Sequence, residues 1–177
     1  MRKGIQGIIT ATLISGVLIA AGCKSTPEGR HALAELNPAS GSEVRGTVHF
    51  YEGPHGMRVV AKVSGLTPGK HGFHIHESGD CSAPDASSAK GHFNPTGAKH
   101  GGPHDAERHA GDFGNLEADA SGNASADFTM HSISFDGPNS IVGKGVIVHA
   151  NEDDLKSQTP TPGNAGKRIA CGTIELH

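Results

Sequence analysis

The sequence predicts an all-β chain: an antiparallel sandwich or barrel carrying two long functional loops. Three observations point that way. Glycine stands at 26 positions and proline at 10, while aromatic residues make up only 4% of the 177, a balance that suits many turns between short strands. Apolar and polar residues alternate over several short runs, the period of a half-buried strand. Amphipathic helical patterning never extends beyond about ten residues.

The runs can be taken in order. "VRGTVHFY" (44–51) alternates Val44, Gly46, Val48 and Phe50 against Arg45, Thr47, His49 and Tyr51. "GMRVVAKV" (56–63) puts Met57, Val59, Ala61 and Val63 on one face, and the "EGPHG" between the two runs makes them a hairpin. "LTPGK" then turns into "HGFHIH", and "NASADFTM", "SIVGKGVIVHA" and "RIACGTIEL" follow as further short β-rich runs. Two segments read as loops: 77–115, rich in Gly, His and Asp, and the polar "NEDDLKSQTPTPGNAGKR" at 151–168. A loop near forty residues in a compact domain is usually functional or disordered, and the His and Asp content argues for function.

A chain of this length holds one domain with a proper core. The net charge of -3 is close to balance and gives no reason to expect nucleic acid or an anionic membrane surface as partner. The N-terminus reads differently from the rest. Arg2 and Lys3 precede the apolar run "GIQGIITATLISGVLIAAG" and Cys23, which is the pattern of a secretory signal; a run of that length also suits an uncleaved anchor. "AAGC" resembles the bacterial lipoprotein signal, in which the cysteine carries lipid, although that pattern usually has Leu where Ala20 stands. "KSTPEGR" follows as a short flexible tether. Of the three cysteines, Cys23, Cys81 and Cys171, a lipidated Cys23 leaves an even pair, expected to be a disulfide in an exported protein. Closing a loop of about ninety residues is worth roughly 4–5 kcal/mol in the loop-entropy account.

The histidines carry the chemistry. His74 and His76 are two apart around Ile75, so on a strand both imidazoles face one way while Phe73 and Ile75 face the other. That is either a bidentate metal grip or a solvated polar face. The long loop adds His92, His100, His104, His109 and Asp112, with His109 and Asp112 three apart in "HAGD"; three histidines and one carboxylate suit a closed tetrahedral zinc site. His149 ends the apolar run "GVIVHA". Alone it reads as a buried, satisfied histidine; with His74 and His76 it makes an imidazole-rich set that suits Cu(II).

"GFHIHESGDC", "GHFNP", "KHGGPHDAERHAGDFGNL", "GVIVHANEDDL" and "GNAGKRIACG" together closely resemble the copper/zinc superoxide dismutase family, in the family's order and from about Val44 to Leu176. The resemblance implies a Greek-key β-sandwich or barrel and the disproportionation of superoxide to oxygen and hydrogen peroxide, with one copper, redox-active, and one zinc, structural, per subunit. Its copper ligands match His74, His76, His92 and His149. Its zinc ligands match His92, His100, His109 and Asp112, with His92 shared. Its hydrogen-bonding aspartate matches Asp153, expected between His74 and His100. Its disulfide matches Cys81 and Cys171, and its arginine beside the copper matches Arg168. Arg168 and His92 are the expected catalytic residues, His92 as a proton carrier.

His71 matches no ligand and is expected to be structural. His31, His49, His55, His104, His131 and His177 are expected at the surface. The implied organisation is a lipoprotein-type signal at 1–22, a tether at 23–31 and the dismutase-like domain at 32–177, in an exported protein of the periplasm or cell envelope, held at the membrane by lipid on Cys23. A homodimer is one arrangement the family offers. The chain departs from the eukaryotic pattern by the extra residues "SAPDASSAK" after Cys81 and by a shorter loop after Asp153 with Pro160 and Pro162. Loop charges that steer substrate, and the subunit interface, therefore do not carry over. The rival expectation, a copper-binding or copper-delivery protein on the same fold, would be favoured by loss of a copper ligand or of the arginine, and all are present.

Overall fold

The computed structural model describes Met1 and residues 29–158 and 160–177. The signal-like run and Cys23 lie outside the described residues. Among these described residues eight strands follow one another: β1 (His31–Pro38), β2 (Arg45–Gly53), β3 (Gly56–Ser64), β4 (Gly69–His76), β5 (Asp112–Ala118), β6 (Ala124–Met130), β7 (Gly145–His149) and β8 (Arg168–Leu176). Among the described residues the helical segments are three single 3₁₀ turns, at Ser87–Ala89, Gly137–Asn139 and Pro162–Asn164.

The alternation in the sequence becomes the wall of the barrel. Met57, Val59, Ala61 and Val63 of β3 are all buried, as are Val48 and Phe50 of β2, and the two strands pair antiparallel from Arg45↔Ser64 to Gly53↔Gly56. The pairings between these eight strands are all antiparallel, in the order β5-β4-β7-β8-β1-β2-β3-β6. The chain therefore crosses from β3 to β4 and from β6 to β7 rather than continuing to the adjacent strand, as a Greek key does. The two edge strands meet through Phe113 of β5 and Phe128 of β6, whose ring centroids are 5.4 Å apart and edge to face. This nearly closes the barrel, which limits exposed strand edges.

Two strands were not among the predicted runs. β1 buries Ala32, Ala34 and Leu36, and two of those three are alanines, which carry little β signal. β5 begins inside the segment expected to be loop. Its Asp112 is buried, and Gly114 has φ 78°, so neither reads as strand.

β4 positions the site. Phe73 and Ile75 join the apolar core, so His74 and His76 point away from it and into the space beneath the loops. Each fully buried Phe or Ile contributes roughly 1.5–3 kcal/mol, which anchors this register: a slip by one residue would put two imidazoles into the core. The segment after β4 and the one after β7 both return to this face. Cys81 and Cys171 are bonded, with Cα atoms 5.8 Å apart, and tie the first of these segments to β8 across a sequence separation of 90.

Candidate metal centre

His74 and His76 of β4, His149 at the end of β7 and His92, which forms an isolated bridge with His76, come together from three parts of the chain. A second group joins His92 to His100, His109 and Asp112. Within each group the possible ligand atoms lie within 4.8 Å of one another, and every member is buried. His92 belongs to both. Its Nδ1 stands 2.8 Å from Asp112 Oδ1 and 3.4 Å from His109 Nδ1, which leaves Nε2 for the first group. A β-bulge between Val148 and His149 turns His149 to pair with Arg168.

The ring nitrogens that face away from the groups are each taken. His74 Nε2–H donates to Asp153 Oδ2 at 2.6 Å, His76 Nδ1–H to the Lys90 carbonyl at 2.8 Å and His149 Nδ1–H to the Gly166 carbonyl at 3.2 Å. His100 Nε2–H donates to Asp153 Oδ1 at 2.9 Å. The opposite nitrogens, His74 Nδ1, His76 Nε2 and His149 Nε2, are buried without a hydrogen-bond partner, and His100 Nδ1 faces Asp112 Oδ2 at 3.0 Å. Buried polar atoms left unpaired cost about 1–3 kcal/mol each. Three of them converging on one point, and three imidazole nitrogens gathered around the Asp112 carboxylate, are explained by cations that accept their lone pairs, and the outward hydrogen bonds are those that orient metal-bound imidazoles. The residues fit two metal ions.

Electrostatics separate the two groups. Burial pushes His76 and His149 well below the ordinary imidazole range, and neighbouring imidazoles push further. Burial, then His74, brings His92 down to about 4 against the pull of Asp112. These rings are neutral, as ligation requires. Burial would raise Asp112, but the imidazoles of His100, His109 and His92 outweigh it and hold the carboxyl well below its usual range. Burial would lower His100, but Asp112 and Asp153 overcome it and raise the ring to about 9, so this ring holds a proton that a bound ion would displace.

Residues 44–174 match the family described as copper/zinc superoxide dismutase (SODC). The chain belongs to the copper/zinc superoxide dismutase family. It is 41% identical to the extracellular superoxide dismutase [Cu-Zn] of Brugia pahangi over 152 residues, covering 82% of this chain and 75% of that one. It is 47% identical to superoxide dismutase [Cu-Zn] 2 of Brassica juncea over 149 residues, covering 81% and 96%. Among solved structures it resembles the crystal structure of the clock protein EA4, with a TM-score of 0.76 and 38% identity over 86% of this chain and 97% of that one. The family is one of oxidoreductases that use copper and zinc.

The remaining expected residues of this superoxide dismutase domain lie around the two groups. Asp153 is buried between His74 and His100. Arg168 is half-buried at a cavity of about 360 Å³ that also takes in His76, His92, His149, Pro160 and Pro162. Its guanidinium donates to the Ala86 carbonyl at 2.7 Å and the Lys90 carbonyl at 2.5 Å. His71 is buried, with Nδ1 2.8 Å from the His149 carbonyl and Nε2 2.8 Å from the Thr67 carbonyl, a strut behind the site. His104 and His131 border a different cleft. His31 and His49 are half-buried rather than fully exposed.

Four contributors were missed in the sequence. Asn115 clamps Asp153 by accepting from its N–H at 2.7 Å and donating to its carbonyl at 3.0 Å. Gln158 does the same for His100, at 2.9 and 3.0 Å. Lys90 holds φ 65°, ψ -148°, a conformation nearly reserved for glycine, and its single carbonyl serves both His76 and Arg168. Gly163 packs against Asp153. Lys90 and Gly163 act through backbone, which residue type does not advertise; Asn115 sat inside a quoted motif but carries no metal-ligand signal.

Proposed function

We propose that this chain disproportionates superoxide with copper held by His74, His76, His92 and His149 and zinc held by His92, His100, His109 and Asp112. The observation that carries this reading is the pair of buried four-ligand groups with one ring in common. Bound copper supplies a one-electron couple, so that one superoxide leaves as oxygen and the next as peroxide, while zinc holds structure. The chain supplies the rest. Arg168 brings a permanent positive charge and several N–H donors to the cavity mouth and orients the anion there. His92 Nε2 would hold copper in one half-reaction and, released from it in the other, would carry one of the two protons that peroxide needs; the second would come from solvent. Asp153 keeps Nε2 of His74 and of His100 as donors, so their Nδ1 atoms stay free to ligate. Elemental analysis of purified protein alongside direct superoxide decay tests the reading. One copper and one zinc per chain with turnover lost on copper removal is the expected result. A fully loaded protein without turnover would instead be a copper-binding or delivery protein.

The finer reading is of an exported lipoprotein: signal at 1–22, lipid on Cys23, tether at 23–31 and domain at 32–177, held at a membrane of the cell envelope or periplasm. The basic start, the apolar run and "AAGC" support it. So do the Cys81–Cys171 disulfide, which suits an oxidising compartment, and relatives whose names carry the word extracellular. Mass spectrometry of protein purified from membranes tests it: acyl groups on an N-terminal Cys23 are expected, and a mature chain beginning elsewhere overturns it. A homodimer is the oligomeric form proposed, to be checked by sedimentation.

A further inference from the structure

Three histidines that serve neither metal group meet on the outer wall of the barrel. His31 opens β1, His49 lies on β2 and His177 follows β8. In register, His31 pairs with Tyr51, and Leu33 pairs with His49 on one side and Glu175 on the other. The His177 N–H donates to the His31 carbonyl at 2.8 Å. The rings stack: His31 to His49 at 5.3 Å, His31 to Tyr51 at 4.7 Å and His31 to His177 at 5.8 Å between centroids. His31 Nε2 and His49 Nδ1 are 3.0 Å apart. Strand alternation asks only for polar side chains on this face, and serine or lysine would meet that need; it does not ask for three imidazoles in one stack.

We propose that His31 and His49 form a separate surface site for a divalent transition-metal ion that favours imidazole, such as Cu(II), Ni(II) or Zn(II). Two nitrogens 3.0 Å apart subtend about a right angle at an ion roughly 2.0–2.1 Å from each, the cis angle of tetragonal Cu(II) and Ni(II) geometry. A small rotation of either ring turns both lone pairs toward one point in place of the present ring-to-ring hydrogen bond. Tyr51 covers one face of His31 and limits its alternatives. Glu175, one pairing step away across Leu33, puts a carboxylate on the same face. Partial burial, with His49 and His177 adding, lowers the His31 pKa, so this ring is neutral and able to ligate. The site does not depend on the dismutase reading, since it shares no residue with either buried group.

The test uses the full domain already loaded with copper and zinc, gel-filtered and titrated with Ni(II) alone. One additional equivalent should bind, with the copper and zinc content unchanged. The His31→Ala/His49→Ala double variant should bind it at least tenfold more weakly, with superoxide decay and thermal midpoint as in wild type. The glutamine pair His31→Gln/His49→Gln serves if the alanine pair loses its fold. A His55→Ala/His131→Ala control should bind as wild type. No additional equivalent, binding kept in the double variant, or binding that follows His55 and His131 overturns the site.

Discussion

Gly163 leaves the Asp153 carboxylate no room for a methyl group: a Cβ on this glycine would stand 2.3 Å from Asp153 Oδ1. Its φ of 71° is also one that glycine alone adopts freely. The carboxylate in question joins His74 to His100, so one glycine in the loop before β8 sets how the two metal groups are coupled. We predict that Gly163→Ala costs about 1–2 kcal/mol from the left-handed backbone alone, with more from the clash. Both copper and zinc should be bound more weakly, because the two rings lose a common support. Denaturant midpoints and metal content of the purified variant check this. Wild-type values for both would mean that the loop simply moves aside.

His149 and His100 should separate the two metals. His149 belongs only to the group with His74 and His76, and His100 only to the group with His109 and Asp112. His149→Ala is expected to abolish copper-dependent turnover while zinc stays bound. His100→Ala is expected to lower zinc content and thermal stability with some activity left. Full turnover in His149→Ala would overthrow the ligand assignment.

Much of this was legible because the ligands cluster in sequence. His74 and His76 on one strand, and His109 three before Asp112, already state their geometry. His149 was legible only because it interrupts an apolar run. The stack of His31, His49 and His177 was not legible, because its members are brought together by strand register and not by spacing. β1 was missed for its alanines, and β5 for the buried Asp112 and left-handed Gly114 at its start. The support from Lys90, Gln158 and Gly163 escaped because it runs through carbonyls, side-chain amides and the absence of a Cβ, each of which takes its meaning from what lies opposite in space.

The disulfide should matter beyond stability. Cys81 and Cys171 flank the parts that hold Arg168: the carbonyls of Ala86 and Lys90 lie a few residues after Cys81, and Arg168 itself is three before Cys171. Opening the bond in Cys81→Ser/Cys171→Ser should destabilise the domain by about 3–5 kcal/mol, given the long loop it closes. It should also lower kcat/KM at full metal content, because the anchors of the guanidinium loosen. Thermal unfolding and superoxide decay, measured together, decide it. A large loss of stability with unchanged kcat/KM would mean that the segment after Cys81 holds its shape without the bond.

The substrate is a small monoanion, and the chain carries a formal net charge of -3. The global field therefore does not favour approach, and something local has to make the cavity mouth positive. Arg168 is the residue placed to do so. Burial shifts its pKa downward, with Asp85 pulling the other way, but a guanidinium keeps its charge at working pH. Two carbonyls hold two of its N–H groups, which fixes where that charge sits. Removing it should reduce encounter more than chemistry. We predict that Arg168→Ala lowers kcat/KM about tenfold and that Arg168→Glu lowers it further through like-charge repulsion, with copper and zinc content unchanged. The wild-type rate should fall as salt rises, since attraction beyond about 8 Å is screened at physiological ionic strength. In Arg168→Glu that fall should vanish or reverse. Lys144, whose Nζ lies 4.2 Å from the centre of the Phe93 ring, and Lys167 can share the attraction and soften the alanine effect, but they cannot restore the sign of the salt slope. Stopped-flow superoxide decay across a salt series is the measurement. An unchanged rate and slope in Arg168→Glu would reduce this arginine to a clamp for the segment after Cys81.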